Sequence, residues 1–319
     1  MKAARTSYLK QMVVWLGLFL LLVLVILVIR IAVEYQNSLW AKEQDRITIA
    51  LFTTPIVLIS FSRSEEIHSI MTLPDAALAR VPFGYGEYRL GATWKLGQLE
   101  KKYELFAETI ADLTGMRMHG WFGMGEPIVL HAETDVELLN SLKEHFSLTS
   151  LFRTGFSTNL GKLDTLMISL LFSALKPGNT LIYLAERNEY LFPDEKLVNQ
   201  VPVKKVNEVA FEEYMEQKFE DAQVRSDALT MQIVNTTGVT GVGSQFAKYL
   251  NHYGGKVIAV ANDTPSIKNC QVKVNAPHAN SQIVNYLTRE FLCTLSITGD
   301  SLEADVQVLV GETFANRWR

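Results

Sequence analysis

Three basic side chains, Arg80, Arg89 and Lys95, lie in or beside one glycine- and aromatic-rich stretch, VPFGYGEYRLGATWKLGQ (Val81–Gln98). Glycines there permit unusual backbone angles and close approach, and cations grouped on such a loop suit a phosphate. Phosphoryl chemistry asks for more, because several cations must neutralise the charge that develops on the phosphate oxygens. One to three basic residues can hold an anion without transforming it. The plain alternative is solvated surface charge. The three are therefore candidate binding residues, and no residue is assigned a catalytic role.

Other constellations of chemistry are missing. The six histidines, at 68, 119, 131, 145, 252 and 278, show no HxxxH or HExxH spacing, and no cysteine pair has metal-ligand spacing. Neither a metal nor a cofactor is expected from these patterns. GVTGVG (Gly238–Gly243) leads from an apolar run into a helical pattern, but its spacing is GxxGxG rather than GxGxxG. No acidic residue ends the next run, VIAVAN, so tight-turn geometry accounts for these glycines better than a dinucleotide does. The net charge of −4 carries no concentrated basic face and excludes a nucleic-acid partner as the working reading.

What must position these residues starts at the membrane. Met12–Ile29 reads MVVWLGLFLLLVLVILVI, without a charge, and continues to Val33 if Arg30 snorkels. A bilayer core takes about 20 apolar helical residues. Nothing after Arg30 resembles a small-x-small cleavage site, so a retained transmembrane helix is expected rather than a signal peptide. The apolar stretch Leu166–Leu175 is closer to a core helix in length. Lys2, Arg5 and Lys10 precede the membrane helix, which favours the amino terminus inside and the rest extracytoplasmic. The expected organisation is tail and helix over 1–33, a polar stalk over 34–46, a middle domain over 47–223 and a final domain over 224–319. About 285 residues beyond Val33 leave room for two ordinary domains.

Along the middle domain, Ile47–Phe52, Ile56–Phe61 and Ile67–Leu73 read as strands, with a hairpin turn at Ser62–Glu66. Val81–Gln98 reads as a loop. Leu99–Leu113 shows a helical stripe through Tyr103, Phe106 and Ile110, with Gly115 as carboxyl cap. Gly120–Met124 is a predicted strand and Asp135–Phe146 a helix. Another helix opens at Asn159 or Asp164 and ends before Pro177. Thr180–Ala185 is a strand. Asn207 caps a charged helix whose inward stripe is Val209, Tyr214 (or Phe211) and Phe219. The alternation points to α/β.

The last part reads as strand Leu229–Val234, helix Ser244–Tyr253, strands Lys256–Ala261 and Gln271–Val274, helix Asn280–Leu292 and strand Ala304–Val310. That order, βαββαβ, is a two-layer sandwich. Val234, Phe246, Leu250, Val260, Leu287 and Val308 are its expected core. Cys270 and Cys293 form a disulfide or stay as two buried thiols; spacing does not decide, although export permits the bond. Asn235 and Asn262 each open a glycosylation sequon, which matters only in a eukaryote.

MQIVNTTGVTGVGSQFAKYLNHYGGKVIAVAND (Met231–Asp263) and the closing ADVQVLVGETF resemble the carboxyl-terminal domain of the LytR-CpsA-Psr family of bacterial envelope proteins. Thr236 stands where that family usually has Gly. In the middle region, PIVLISFSRSEEIHSIMTLP is similar to the family's hairpin ending in Ile-Pro-Arg-Asp, and YRLGATWKLGQ to the following Lys-(Leu/Ile)-Asn-Ala-Ala-Tyr segment. TNLGKLDTLMISLLFSALKPGNT is similar to the family's late helix. The resemblance implies transfer of glycopolymer from a polyprenyl pyrophosphate lipid to the cell wall, with clustered arginines, aspartates and Mg²⁺, and it places Arg89 at a basic position.

The chain departs from that pattern. After Pro74 the family has Arg-Asp; here Asp75-Ala76 follows. The later Arg-x-x-Arg-Gln segment is missing, and Arg153 alone stands in that region. The expectation is an α/β protein with an N-terminal transmembrane helix, a degenerate LytR-CpsA-Psr-like domain and a LytR-type final domain. Its expected role is non-catalytic binding or scaffolding at the cell envelope, with the membrane and a cell-wall glycopolymer or polyprenyl-phosphate lipid as partners. The competing reading is a divergent glycopolymer phosphotransferase.

Overall fold

The structure is a computed structural model, described over residues 2–42, 46–151, 155–196 and 201–317. Arg153 lies outside the described residues. Helix α1 (Lys2–Asn37) contains a 24-residue span, Val14–Asn37, long and apolar enough to cross a membrane. At 1.5 Å per residue that span reaches about 36 Å, against about 30 Å of hydrocarbon.

The stalk expected over 34–46, a helical continuation of the membrane segment, is α-helical only over its first residues. α1 runs to Asn37, and the chain then turns through a short 3-10 segment, Leu39–Lys42, back into the protein. The Leu39 N–H donates to Asp164 Oδ1 at 3.0 Å. Trp40 is 8 % exposed and packs in the core, with the Arg63 guanidinium 5.5 Å from its ring centre. Burial of an indole outweighs the polar character that the segment's charges suggest.

The first unit is a mixed sheet between two helical layers. Its strands are β1 (Arg46–Leu51), β2 (Ile56–Ser62) and β3 (His68–Leu73), then β6 (Gly120–Gly123), β7 (Ser157–Thr158) and β8 (Thr180–Leu184). Between them, β4 (Leu78–Val81) and β5 (Gly86–Arg89) form a separate ribbon. The order across the sheet is β8-β3-β2-β1-β6-β7. β1 and β2 pair antiparallel, as do β2 and β3, while β6 lies parallel to β1 and β8 parallel to β3.

Every residue of β1, β2 and β3 is buried, so these strands carry apolar residues on both faces, and the buried Thr48 and Ser60 hydroxyls pair with each other at 3.1 Å. One face packs Phe52, Leu58 and Leu73 on helices α2 (Leu90–Glu100) and α3 (Glu104–Thr114). The other packs Ile49, Ile59 and Phe61 on α4 (Asp135–Phe146) and α5 (Lys162–Ala174).

Several expectations need correction. Val81–Gln98 is not a loop: it is the end of a β-ribbon followed by helix α2. The predicted helix from Leu99 is two helices, broken where Lys101 adopts φ 56°, and Leu99 itself is 80 % exposed. The stripe expected for α6 (Glu208–Met215) holds at Phe211 and, beyond the helix, at Phe219, both buried, but not at Val209. Val209 is 81 % exposed, while Ala210, Phe211 and Met215 are buried. α5 packs Ile168, Phe172 and, at its carboxyl cap, Leu175 into the core, as its length led one to expect, but only its inner face is covered.

After α7 (Ala222–Asp227), the second unit holds β9 (Thr230–Asn235), α8 (Val242–His252), β10 (Lys256–Asn262), β11 (Gln271–Val274), α9 (Gln282–Glu290), β12 (Thr294–Ile297) and β13 (Val306–Val310). The sheet order is β10-β9-β13-β11-β12, with both long helices contributing to one core. β12 is a fifth strand that the expected βαββαβ order lacks. It is set by the Cys270–Cys293 disulfide, which joins the residues immediately before β11 and β12. Those strands then pair in parallel from Gln271 and Thr294 onward. Val260 lies on the edge strand β10 and is 46 % exposed, so it is not core. Asn235 is buried and its side chain braces the following turn through Thr237 and Val239, which removes it as a sugar acceptor.

Candidate functional site

The candidate basic residues sit on the β4–β5 ribbon and the helix that it feeds. In the ribbon Leu78 stands opposite Arg89, and Arg80 opposite Glu87. Alternate positions face the same way, so Arg80, Glu87 and Arg89 share one face while Ala79 and Val81 turn inward and are buried. The ribbon's turn is tied to the chain end, because the Phe83 N–H donates to the Arg317 carbonyl at 2.8 Å.

Arg89 immediately precedes α2. Its Nη2 donates to Asp75 Oδ2 at 3.3 Å, and both side chains are about two-fifths exposed. The amino end of α2 is already occupied. The Leu90 N–H donates to the Ala77 carbonyl at 2.8 Å and the Gly91 N–H to the Asp75 carbonyl at 2.9 Å. Free N–H groups at a helix start attract anions; here backbone oxygens have taken the first two.

Lys95 lies one helical turn after Gly91, on the same face of α2. Its Nζ is 3.3 Å from Glu126 Oε1, and both side chains are well exposed. Each candidate cation therefore has a carboxylate beside it or across the ribbon from it: Asp75 for Arg89, Glu126 for Lys95 and Glu87 for Arg80. The structure puts Arg80 and Arg89 on one surface, but that surface carries little surplus positive charge. Exposed pairs of this kind are worth about 0–1 kcal/mol. An incoming phosphate can displace one, yet it then meets the displaced carboxylate at short range.

The Mg²⁺ implied by the resemblance does not fit these residues. The Asp75 carboxylate faces the Arg89 guanidinium and the Glu126 carboxylate the Lys95 ammonium. No group of three or more Asp, Glu, His or Cys side chains suited to a cation occurs among the described residues.

Behind the site α2 is fixed by Trp94, which the loop reading left without a role. Trp94 stacks on Phe52 at 4.9 Å and meets Phe106 and Trp121 edge-on at 5.6 and 5.3 Å. Gly123 gives it room: a Cβ there would strike the indole.

The most strongly perturbed side chains lie elsewhere, where the second unit meets α3. The last carbonyls of a helix lack internal donors. In α3, α8 supplies them: Gln245 Nε2 donates to Asp112 O at 2.8 Å and Lys248 Nζ to Leu113 O at 2.7 Å, and His252 Nδ1 lies 2.7 Å from Thr114 O. Gly115 makes this approach possible, since it holds φ 63° and a Cβ would meet Lys248 and His252. Glu212 of α6 pairs with both Lys248 and His252. Burial pushes the Tyr249 hydroxyl well above its usual range, and Asp112 beside it adds to the shift.

Perturbed groups often mark active sites. Here they are a joint. The cavity among Arg46, His119, Tyr249, His252, Tyr253 and Tyr286 is about 10 Å³, room for about one water. Ala111 of α3 belongs to the core of the second unit. Nothing in the spacing of Asp112, Glu212, Tyr249 and Arg317 signals their meeting.

No protein-family profile matches the chain, and no curated protein matches it by sequence. Solved structures similar to it include TagT bound to LI-WTA, with 11 % identity, a TM-score of 0.40 and coverage of 54 % of this chain and 89 % of that one. B. subtilis TagT is similar at 13 % identity and a TM-score of 0.37, covering 54 % and 88 %. A transcriptional regulator from Enterococcus faecalis is similar at 10 % identity and a TM-score of 0.39, covering 54 % and 85 %.

Proposed function

We propose that this chain is a membrane-anchored, extracytoplasmic envelope protein of LytR-CpsA-Psr character. Its first unit binds a cell-wall glycopolymer or a polyprenyl-phosphate lipid without transferring it. The second unit is a LytR-type carboxyl-terminal domain. The observation that carries the reading is the Arg89–Asp75 pair. Where the resemblance calls for an Arg-Asp pair serving pyrophosphate, the acid here engages the basic residue. Losing one preorganised donor at a transition state typically costs about 2.7–4 kcal/mol. A site with its arginine engaged and its second arginine motif missing supports binding rather than turnover. The Cys270–Cys293 disulfide suits an oxidising, exported setting.

The test is transfer from a polyprenyl-pyrophosphate glycan to peptidoglycan by the full chain, with Mg²⁺ supplied. No transfer above background is expected. Robust transfer that disappears in Arg89→Ala would overturn the proposal and install the divergent phosphotransferase in its place.

A further inference from the structure

α5 carries an apolar face that none of the described residues covers. Its inner side chains Ile168, Ser169 and Phe172 are buried against the sheet. Its outer side chains Leu166, Met167 and Leu170 are 39, 37 and 48 % exposed. At 100° per residue these three, with half-buried Leu163, fall on one outward arc. No charged residue interrupts that arc between Lys162 and Lys176. A surface helix ordinarily turns polar residues outward, and single exposed apolar residues need no account. A whole helical face does.

The place of this face indicates what covers it. α5 begins beside the exit of α1. The Leu39 N–H, two residues past α1, donates to Asp164 Oδ1 in the first turn of α5. A cleft of about 300 Å³ is lined by Glu34 and Asn37 of α1 together with Gly161 and Lys162. The apolar run of α1 ends at Val33, so Glu34 marks the level of the headgroups if α1 spans the bilayer. The amino end of α5 is then within a turn of the membrane surface. Exposed Lys162 and Lys176 stand at its two ends, where amphipathic side chains reach anionic headgroups while an apolar face sinks into the acyl boundary.

We propose that the outward face of α5 is a second membrane contact, resting in the headgroup–acyl boundary of the bilayer that α1 crosses. The proposal rests on the anchor reading of α1. Held by Asp164 and by the burial of Trp40, Leu39–Lys42 ties the anchor to the domain just past α1, so the first unit lies directly on the lipid in one orientation.

The experiment uses the full chain in phosphatidylethanolamine–phosphatidylglycerol vesicles, with the native disulfide intact and a single environment-sensitive fluorophore on an introduced cysteine. The three positions are Leu22→Cys in α1, Leu170→Cys on α5, and Val209→Cys on α6, a surface position exposed away from α5. Lipids carrying a nitroxide near the headgroup end of the acyl chain serve as quenchers for Leu170 and Val209, and lipids carrying it at mid-chain for Leu22. At Leu170 a blue shift and lipid-dependent loss of emission are expected, with neither at Val209. Adding Leu166→Glu should return the Leu170 label to water-like emission. Water-like emission at Leu170 in the parent chain would overturn the proposal. So would a blue shift without lipid quenching, which would mean that a second copy covers the face. If the label at Leu22 is not quenched by mid-chain nitroxide, the anchor reading falls, and this contact with it. Quenching at Leu22 without quenching at Leu170 removes the α5 contact alone.

Discussion

Arg317 Nη2 donates to Asp112 Oδ1 at 2.8 Å, joining residues 205 positions apart. The Tyr249 hydroxyl donates to the same oxygen at 2.7 Å, and Glu108 also pairs with Arg317. Burial pushes the Asp112 carboxyl above its ordinary value, against the opposing pull of Arg317 and Tyr249. The two units are therefore held by a mostly buried ionic knot as well as by apolar packing.

Removing one partner of a buried pair leaves the other charge uncompensated, at a typical cost of about 3–5 kcal/mol. Arg317→Ala should lower the unfolding free energy of the full chain, read from its denaturant midpoint, by an amount of that order. Arg317→Ala and Asp112→Asn together should cost less than the sum of the two single changes. A midpoint unchanged by Arg317→Ala would show that the knot contributes nothing to stability.

Glu212 gives the joint an acid limb. Burial alone would raise its carboxyl, but hydrogen bonds from His252 and Lys248 outweigh this and hold it below the ordinary 4.5. A carboxylate held low contributes stability that is present above the unfolded value and lost as pH falls through the folded one. Asp112, raised in the fold, acts in the opposite sense. Glu212→Gln should therefore flatten the loss of stability below about pH 4.5 relative to the parent. Unfolding midpoints measured for both chains across that range test this; identical slopes would refute it.

The disulfide closes a segment with a sequence separation of 23. Cross-linking a loop of that size restricts the unfolded chain by about 3 kcal/mol. Cys270→Ala with Cys293→Ala should lower the thermal midpoint and loosen β12 first, since this edge strand pairs with β11 alone. Hydrogen exchange resolved by peptide reads both effects. Protection of Thr294–Ile297 equal to the parent's would argue against the pinning role.

Asp75 neutralises Arg89, so its removal should do what removal of Arg89 cannot. Asp75→Ala should strengthen binding of inorganic pyrophosphate by the full chain by roughly tenfold, the equivalent of about 1.4 kcal/mol, while Arg89→Ala weakens it. Both pair members are about two-fifths exposed, so neither change should lower the unfolding free energy by more than about 1 kcal/mol. Calorimetric titration decides; weaker binding in Asp75→Ala would refute the pair as a brake on anion capture.

Lys2, Arg5 and Lys10 ahead of α1 motivate the amino-in orientation. A carboxyl-terminal reporter active only outside the cytoplasm should be active on this chain. Activity of a cytoplasm-only reporter at the same position would reverse the topology.

By itself the sequence determined whatever short-range physics controls. The apolar length of α1, the largely apolar runs of β1 to β3 and the extent of α4 follow from hydrophobic spacing over a few turns. The end of α3 at Gly115 and the start of α6 at Asn207 follow from caps acting within four residues. The turn glycines before α8 were legible for the same reason, as Gly238 and Gly241 have φ of 68° and 86°. Tertiary structure decided everything that depends on which elements become neighbours. Leu99 and Val209 have helical periodicity but face water, because periodicity gives the existence of a stripe and not its partner. The glycines of Val81–Gln98 suggested a loop, whereas packing of Trp94 on Phe52 and Phe106 holds α2 there. The cysteine pair, the Arg89–Asp75 pair and the Asp112 knot all join residues from separate elements. Charge is long-ranged along the chain but short-ranged in space, so whether an arginine is a ligand or half of an ion pair is settled only by the fold that brings a carboxylate to it.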